Sequence, residues 1–359
     1  MGAFAGAFAA LVYLALAGVE ITALFKLALF GPALSKAKDL LTTDACFAHP
    51  GMQSYPWLGR YLNQMLCTIN LIFDSGANGP KPPAVLLNTF GPLFMTAVAI
   101  ATFESFRNVH RANKGISGLI SRAASFFVLL GQRYTAGFAL PLQRAFISWS
   151  GRRLGNDAGD IEELKARVPE AKYIWSTYIA LTLGMAIPTL YMQVEKFAYP
   201  ALSIWQPFPL YVLALNIILP PLFSWTRNRY IPTVLLTALL VFASARSNHE
   251  LVKGIAAGQI NLREVFLLDQ PKDTLTLSHG AHVLFAIDMA AVFLLSTFTV
   301  LFGYGAGIGG FIASALPFAA ATALLGPGGS FALFWGIKEL GRQRALAKAT
   351  PTLGKIKTN

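Results

Sequence analysis

The sequence predicts an all-α fold: a polytopic bundle of about eight transmembrane spans with one further helix lying at the membrane interface. Three observations predict it. Of the 359 residues, 55% are hydrophobic and 13% charged, and a soluble domain carries about a quarter charged residues. The mean hydropathy is +0.53. The apolar residues also fall in runs that reach the roughly 20 residues needed to cross a bilayer. Lipid offers the backbone no water, so such runs fold as helices that satisfy their own hydrogen bonds.

The spans follow in order along the chain. The first is 4–31, carrying Glu20 and Lys26. Lys26 is placed to snorkel, whereas Glu20 is deeper and costlier. The run is too long for a signal peptide and reads as a retained span. In the polar connection after it, 57–73 has apolar residues at helical spacing with Arg60, Asn63 and Gln64 among them. It is too short and polar to cross, and suits an interfacial or re-entrant helix. Span two is 84–104 and ends in Phe-Glu-Ser-Phe-Arg; span three is 117–149 and contains Arg133. A charged linker at 151–172 leads to span four at 173–193, then span five at 207–224 and span six at 231–245. A long connection, 246–278, precedes span seven, which runs from His282 to Tyr304, and span eight at 308–337 ends in a basic tail, 337–359. No internal repeat or extramembrane unit stands out, so residues 1–359 form one membrane-embedded helical domain.

The net charge of +12 does not call for nucleic acid. Lys and Arg gather in the connections and the tail, as topology signals do, and slightly favour the terminal face as cytoplasmic. Cys46 and Cys67 share one connection and pair only if that loop faces an oxidising lumen. Neither they nor the histidines stand in metal-ligand register, so no metal or cofactor is expected.

Ionisable groups inside spans are the candidate site residues, because lipid makes them expensive. Asp288 lies near the middle of span seven, facing the same way as Ala281, Leu284, Val292, Leu295 and Thr299. With no cation one turn away, it either pairs with another helix or is held as the neutral acid, a proton donor. Glu104 and Arg107 are three apart on one face, near enough to interact. They form either an interfacial ion pair or a polar cavity wall. Arg133 cannot shed its charge, so it needs Asp288, Glu104 or Glu20 as partner, or a reach to the interface. Phe285, one turn before Asp288, is a packing residue or a cavity ring whose π-face steadies a cation. Asp269 and Asp273 have a magnesium-diphosphate spacing, but Pro271 between them breaks the helix that would align them. GPGG at 326–329 reads as a helix break or close-packing point rather than a phosphate cradle.

Six local patterns recur in one order: FESFRNVHRAN, GQRYTAGFALPL, LGMAIPTLYM, WQPFP, LFAID and GPGGSFALFWGIKE. Together they resemble the fungal integral-membrane terpene cyclases of meroterpenoid pathways, the ascochlorin, ascofuranone and macrophorin type. LFAID departs from the family's corresponding Phe-Leu-Gln-x-Asp by lacking its Gln and Trp, which leaves the pocket around Asp288 open. The resemblance implies metal-independent, protonation-started cyclisation of a farnesylated phenol or its terminal epoxide, in the endoplasmic reticulum membrane. It maps the family's acidic pair onto Glu104 and Asp288 as catalytic residues, with Arg107, Arg133, Tyr134, Glu20 and Phe285 around the substrate. The partners implied are a prenylated aromatic small molecule and lipid. Two other classes stay open: a small-solute transporter lined by Glu20, Arg133 and Asp288, and a magnesium-dependent membrane prenyltransferase using Asp269 and Asp273.

Overall fold

The computed structural model describes residues 3–23, 39, 44–48, 52, 54–55, 59–79, 81–108, 119–120, 122–151, 160–266, 277–303 and 307–356. Among them the chain is all helix and turn. The helices are α1 (Ala3–Ala23), α2 (Gly59–Ala77), α3 (Lys81–Ser105), α4 (Ala124–Arg133), α5 (Ala136–Gly151), α6 (Asp160–Arg167) and α7 (Ala171–Leu181). A π turn at Thr182–Ala186 carries α7 into α8 (Ile187–Val194). Then come α9 (Tyr199–Trp205), α10 (Phe208–Ile218), α11 (Tyr230–Ala256), α12 (Leu262–Phe266), α13 (Leu277–Gly303) and α14 (Gly307–Ile356). Six helical segments in the described residues are long and apolar enough to cross a membrane, and the protein is an integral membrane helical bundle.

Ala10, Tyr13, Ala17 and Glu20 of α1 are all buried, at alternating steps of three and four residues. The small residues in that stripe let α5 approach closely. α1 runs antiparallel to α13: Tyr13 meets Thr299 at 3.0 Å, and Glu20 lies level with Asp288. The bundle therefore has two distinct ends. At one, the mouth end, α3 and α13 begin; at the other, the tail end, α3 finishes beside Glu339 in the second half of α14.

Two expected spans are corrected. The stretch 117–149 does not cross as one helix, because α4 and α5 fold back on each other at Tyr134–Thr135. Phe127 and Phe146 come within 6.1 Å across that hairpin. Span eight is a hairpin as well. Gly326 has φ 74° and ψ 168°, a conformation open only to glycine. The two arms of α14 then run antiparallel: Phe318 and Phe334 are 5.4 Å apart and Thr322 Oγ1 donates to Ser330 Oγ at 2.9 Å. In a straight helix those two rings would be about 24 Å apart. Just past the turn a Cβ on Gly328 would sit 2.7 Å from the Pro92 carbonyl, so only glycine admits α3 this near. GPGG is both break and packing point.

α2 lies at the mouth end with an amphipathic face. Asn63, Gln64, Cys67, Thr68 and Leu71 are buried, while Tyr61 and Leu62 face outward. Its Cys67 is disulfide-bonded to Cys46. Asn78, just past its end, donates to the Lys196 carbonyl at 3.1 Å. The helix thus roofs the mouth end, as an interfacial helix would.

Candidate functional site

A cavity of about 1140 Å³ occupies the mouth-end half of the bundle. Small-molecule sites run to roughly 300–1,000 Å³, so it admits a long ligand. Its wall is mostly apolar and aromatic: Phe73, Phe90, Phe94, Phe197, Trp205 and Phe285 line it. The rings brace one another, Phe73 lying 5.6 Å from Phe285 and 5.2 Å from Trp205. Trp205 is fixed by its indole N–H, which donates to Thr189 Oγ1 at 2.9 Å.

Asp288 of α13 lines this cavity and is 6% exposed. It meets the start of α5, where backbone N–H groups have no intrahelical partner. The Gly137 N–H donates to Asp288 Oδ1 at 2.6 Å, and the Ala136 N–H reaches Oδ2 at 3.4 Å. Thr135 caps the same helix: its Oγ1 accepts from the Phe138 N–H at 3.2 Å and donates to Glu20 Oε1 at 2.6 Å. Both carboxyl side chains crowd one glycine. A Cβ at Gly137 would lie 2.7 Å from the Ala291 Cβ, 3.0 Å from Asp288 Oδ1 and 3.1 Å from Glu20 Cγ. Glu20 Oε2 is buried and has no hydrogen-bond partner among the described residues.

Other expected site residues divide between this cavity and elsewhere. Arg133, Tyr134 and Phe285 line it with Asp288. Arg133 has no carboxylate partner among the described residues. It is exposed, donates to the Tyr61 hydroxyl at 3.2 Å and lies over the Tyr134 ring at 5.4 Å. It is not in a buried ion pair among the described residues. Glu20 stands behind Asp288 rather than in the cavity wall.

Glu104 and Arg107 are not brought to the cavity. They lie at the tail end, both buried, in a charged cluster. Arg107 donates to both Glu104 oxygens at 2.5 Å, to Glu339 Oε2 at 2.9 Å and to the Arg167 carbonyl. Arg144 approaches Glu104 at 3.8 Å and Arg342 approaches Glu339 at 3.4 Å. Burial works against the Arg107 charge, but the Glu104 and Glu339 carboxylates outweigh it and hold the guanidinium above its ordinary range. The pair is thus part of a salt-bridged knot tying the end of α3 to α14.

No group of three His, Cys, Asp or Glu among the described residues could hold a metal ion. Asp269 and Asp273 lie outside the described residues, as does Lys26.

A family model for the CtvD domain matches residues 53–339. The chain belongs to that family. No curated protein and no solved structure matches it. The match spans both the roof helix and the tail-end knot, leaving α1, and with it Glu20, outside.

Sequence reasoning isolates Glu20 and Asp288 separately but not as neighbours. It passes over Thr135 and Gly137 within GQRYTAG. The signal for both is present: a Thr at the residue before a helix start is a capping residue, and a Gly in the next turn permits close approach.

Proposed function

We propose that the protein is a membrane terpene cyclase that closes rings on a prenylated phenol by protonating its terminal epoxide. The observation that carries this reading is Asp288 at the wall of a large aromatic cavity, backed by the Glu20 carboxyl, with no guanidinium against either among the described residues. Membership in a family linked to fungal meroterpenoid and terpene cyclase-like proteins supports it.

Burial of two carboxyl groups side by side disfavours charge on both at once. In the proposed mechanism both start as neutral acids, with the Glu20 proton on its otherwise unpartnered Oε2. Asp288 presents its own proton to the cavity, and the Gly137 and Ala136 N–H groups, with the proton kept by Glu20, stabilise the carboxylate left behind. The proton goes to the epoxide oxygen. The C–O bond at the more substituted carbon breaks, and the next alkene's π pair forms a C–C bond to that carbon. The aromatic wall steadies the migrating cation by its ring faces. Loss of a proton from the last cation, to the carboxyl pair, restores the starting state, so the product is an isomer of the substrate. A carboxylic acid is a weak acid for a bare alkene but adequate for a strained, more basic epoxide. The cavity's contribution is to fold the chain and exclude water until the rings have closed.

In this proposal Glu20 takes the second-carboxyl role expected of Glu104, whose oxygens are already held by arginines. Orientation follows from two features at opposite ends. A disulfide at the mouth end fits an oxidising lumen, and a basic tail at the other end fits the cytoplasm. Both features support our reading of it as an endoplasmic reticulum membrane protein.

The test is microsomal expression with a farnesyl phenol and its terminal epoxide, reading for a product of unchanged mass. An isomer formed from the epoxide, unaffected by EDTA, supports the reading. EDTA-sensitive turnover would favour a magnesium-dependent prenyltransferase instead, and no product from either compound would remove the cyclase.

A further inference from the structure

The carboxyl pair marks one side of the cavity; the other side opens laterally. α11 packs against α7, whereas α8, beyond the π turn, lacks comparable packing against α11 among the described residues. A π turn inserts an extra residue into a helix and re-aims the turns beyond it. Ile187 and Leu190 of α8 and Phe242 of α11 line the cavity, yet they are 51%, 57% and 68% exposed. Side chains that belong to both the cavity wall and the outer surface of a span mark an opening toward lipid.

Arg246 of α11 lies one turn beyond Phe242 on the rim of that opening. It lines the cavity, is exposed, and makes no ion pair or hydrogen bond among the described residues. Glu250, four residues on, also lines the cavity and forms no ion pair with it. The backbone carrying Arg246 is fixed, because Ser247 Oγ donates to the Asn88 carbonyl at 2.6 Å and ties α11 to α3. Arg133, the other cation of the wall, is engaged by Tyr61 and Tyr134 and sits next to the α5 start that holds Asp288. A polar head docked there would displace the reacting end of the chain. An unpaired guanidinium beside lipid is costly, and its planar donor fork suits an anionic oxygen group.

We propose that Arg246 binds the anionic head of the substrate, a carboxylate on its aromatic ring, as the molecule enters sideways from the membrane between α8 and α11. The apolar tail then lies along the aromatic wall with its far end at Asp288. This rests on the cyclase reading and narrows its substrate class to acidic prenylated aromatics over their neutral counterparts.

The experiment measures binding, so that it reports independently of turnover. Full-length protein in lipid nanodiscs is titrated with a farnesylated hydroxybenzoic acid and with its methyl ester, following tryptophan quenching. Wild type is expected to bind the acid at least tenfold more tightly than the ester. Arg246→Gln loses that preference with an unchanged melting temperature, Arg246→Lys keeps part of it, and Asp288→Asn keeps it in full. Equal binding of acid and ester by wild type, or a preference that survives in Arg246→Gln, overturns the proposal, as does failure of wild type to bind either. Loss of cyclisation alone, with the preference intact, sinks the cyclase reading and leaves the anion site standing.

Discussion

Asp288 and Glu104 are both carboxylic acids buried on long apolar helices, and they end up in opposite circumstances. Glu104 sits in a knot with Arg107 and Arg144, and Arg107 also bonds Glu339. It does not line the large cavity. Asp288 meets two backbone N–H groups, a second carboxyl and a wide apolar space. The lesson is that lipid burial of an acid does not by itself make a site. A neighbouring arginine consumes the acid's charge in structure. An adjoining void, with a like-charged partner instead, leaves a proton available for transfer.

The sharpest way to test that contrast is Asp288→Asn. The amide still accepts from Gly137 but has no transferable proton, so turnover of the epoxide should fall by about 10²–10⁴, the range a general acid supplies. Product quantified by mass spectrometry against protein level is the readout; turnover within threefold of wild type would dissolve the distinction between the two ends. Next in size is Glu20→Gln. It removes the carboxyl behind Asp288 but leaves the cavity wall intact, so we expect a fall of roughly 10–10² in turnover with KM little changed. Gly137→Ala comes after it. Its Cβ would press on the Ala291 Cβ and on Asp288 Oδ1 at 3.0 Å or less, displacing the acid by a few tenths of an ångström. Because a 1 Å misplacement can cost about 10²-fold, a loss of roughly tenfold is expected, in kcat rather than KM.

The fold was legible where hydropathy alone decides it. Helical class, the interfacial α2 and most span positions followed from apolar runs and their spacing. Span three was not, since neither Tyr134 nor Thr135 is a helix breaker. The hairpin there is set by tertiary partners: Glu20 takes the Thr135 hydroxyl and Asp288 takes the first N–H groups of α5. Gly326 was visible as a break, but a reversal of the chain depends on its positive φ and on Asn248, which donates to the Ala323 carbonyl at 2.9 Å. At the site the sequence exposed the costly residues one at a time. It carried the local pair of Glu104 and Arg107, three residues apart, and missed Glu339, which completes the knot from the far end of the chain. The same limit hid the meeting of Glu20 with Asp288, because helical periodicity reports what shares a face, not which helix that face meets.

The smallest effect on rate is expected at the tail end, and it separates the two regions from the other side. Arg107→Met leaves Glu104 and the fully buried Glu339 without their shared counter-charge. Breaking a buried ion pair by removing one partner costs roughly 3–5 kcal/mol, chiefly from the charge left unpaired. Glu104→Gln should cost less, because Arg107 keeps Glu339 and the Arg167 carbonyl. Both variants should therefore melt earlier in detergent, Arg107→Met the more so. The protein that remains folded should turn over the epoxide within about threefold of wild type, since neither side chain lines the cavity. Turnover per folded molecule that collapses in Glu104→Gln, with melting unchanged, would instead place the working acid at the tail end and reverse the assignment of the two carboxyl groups.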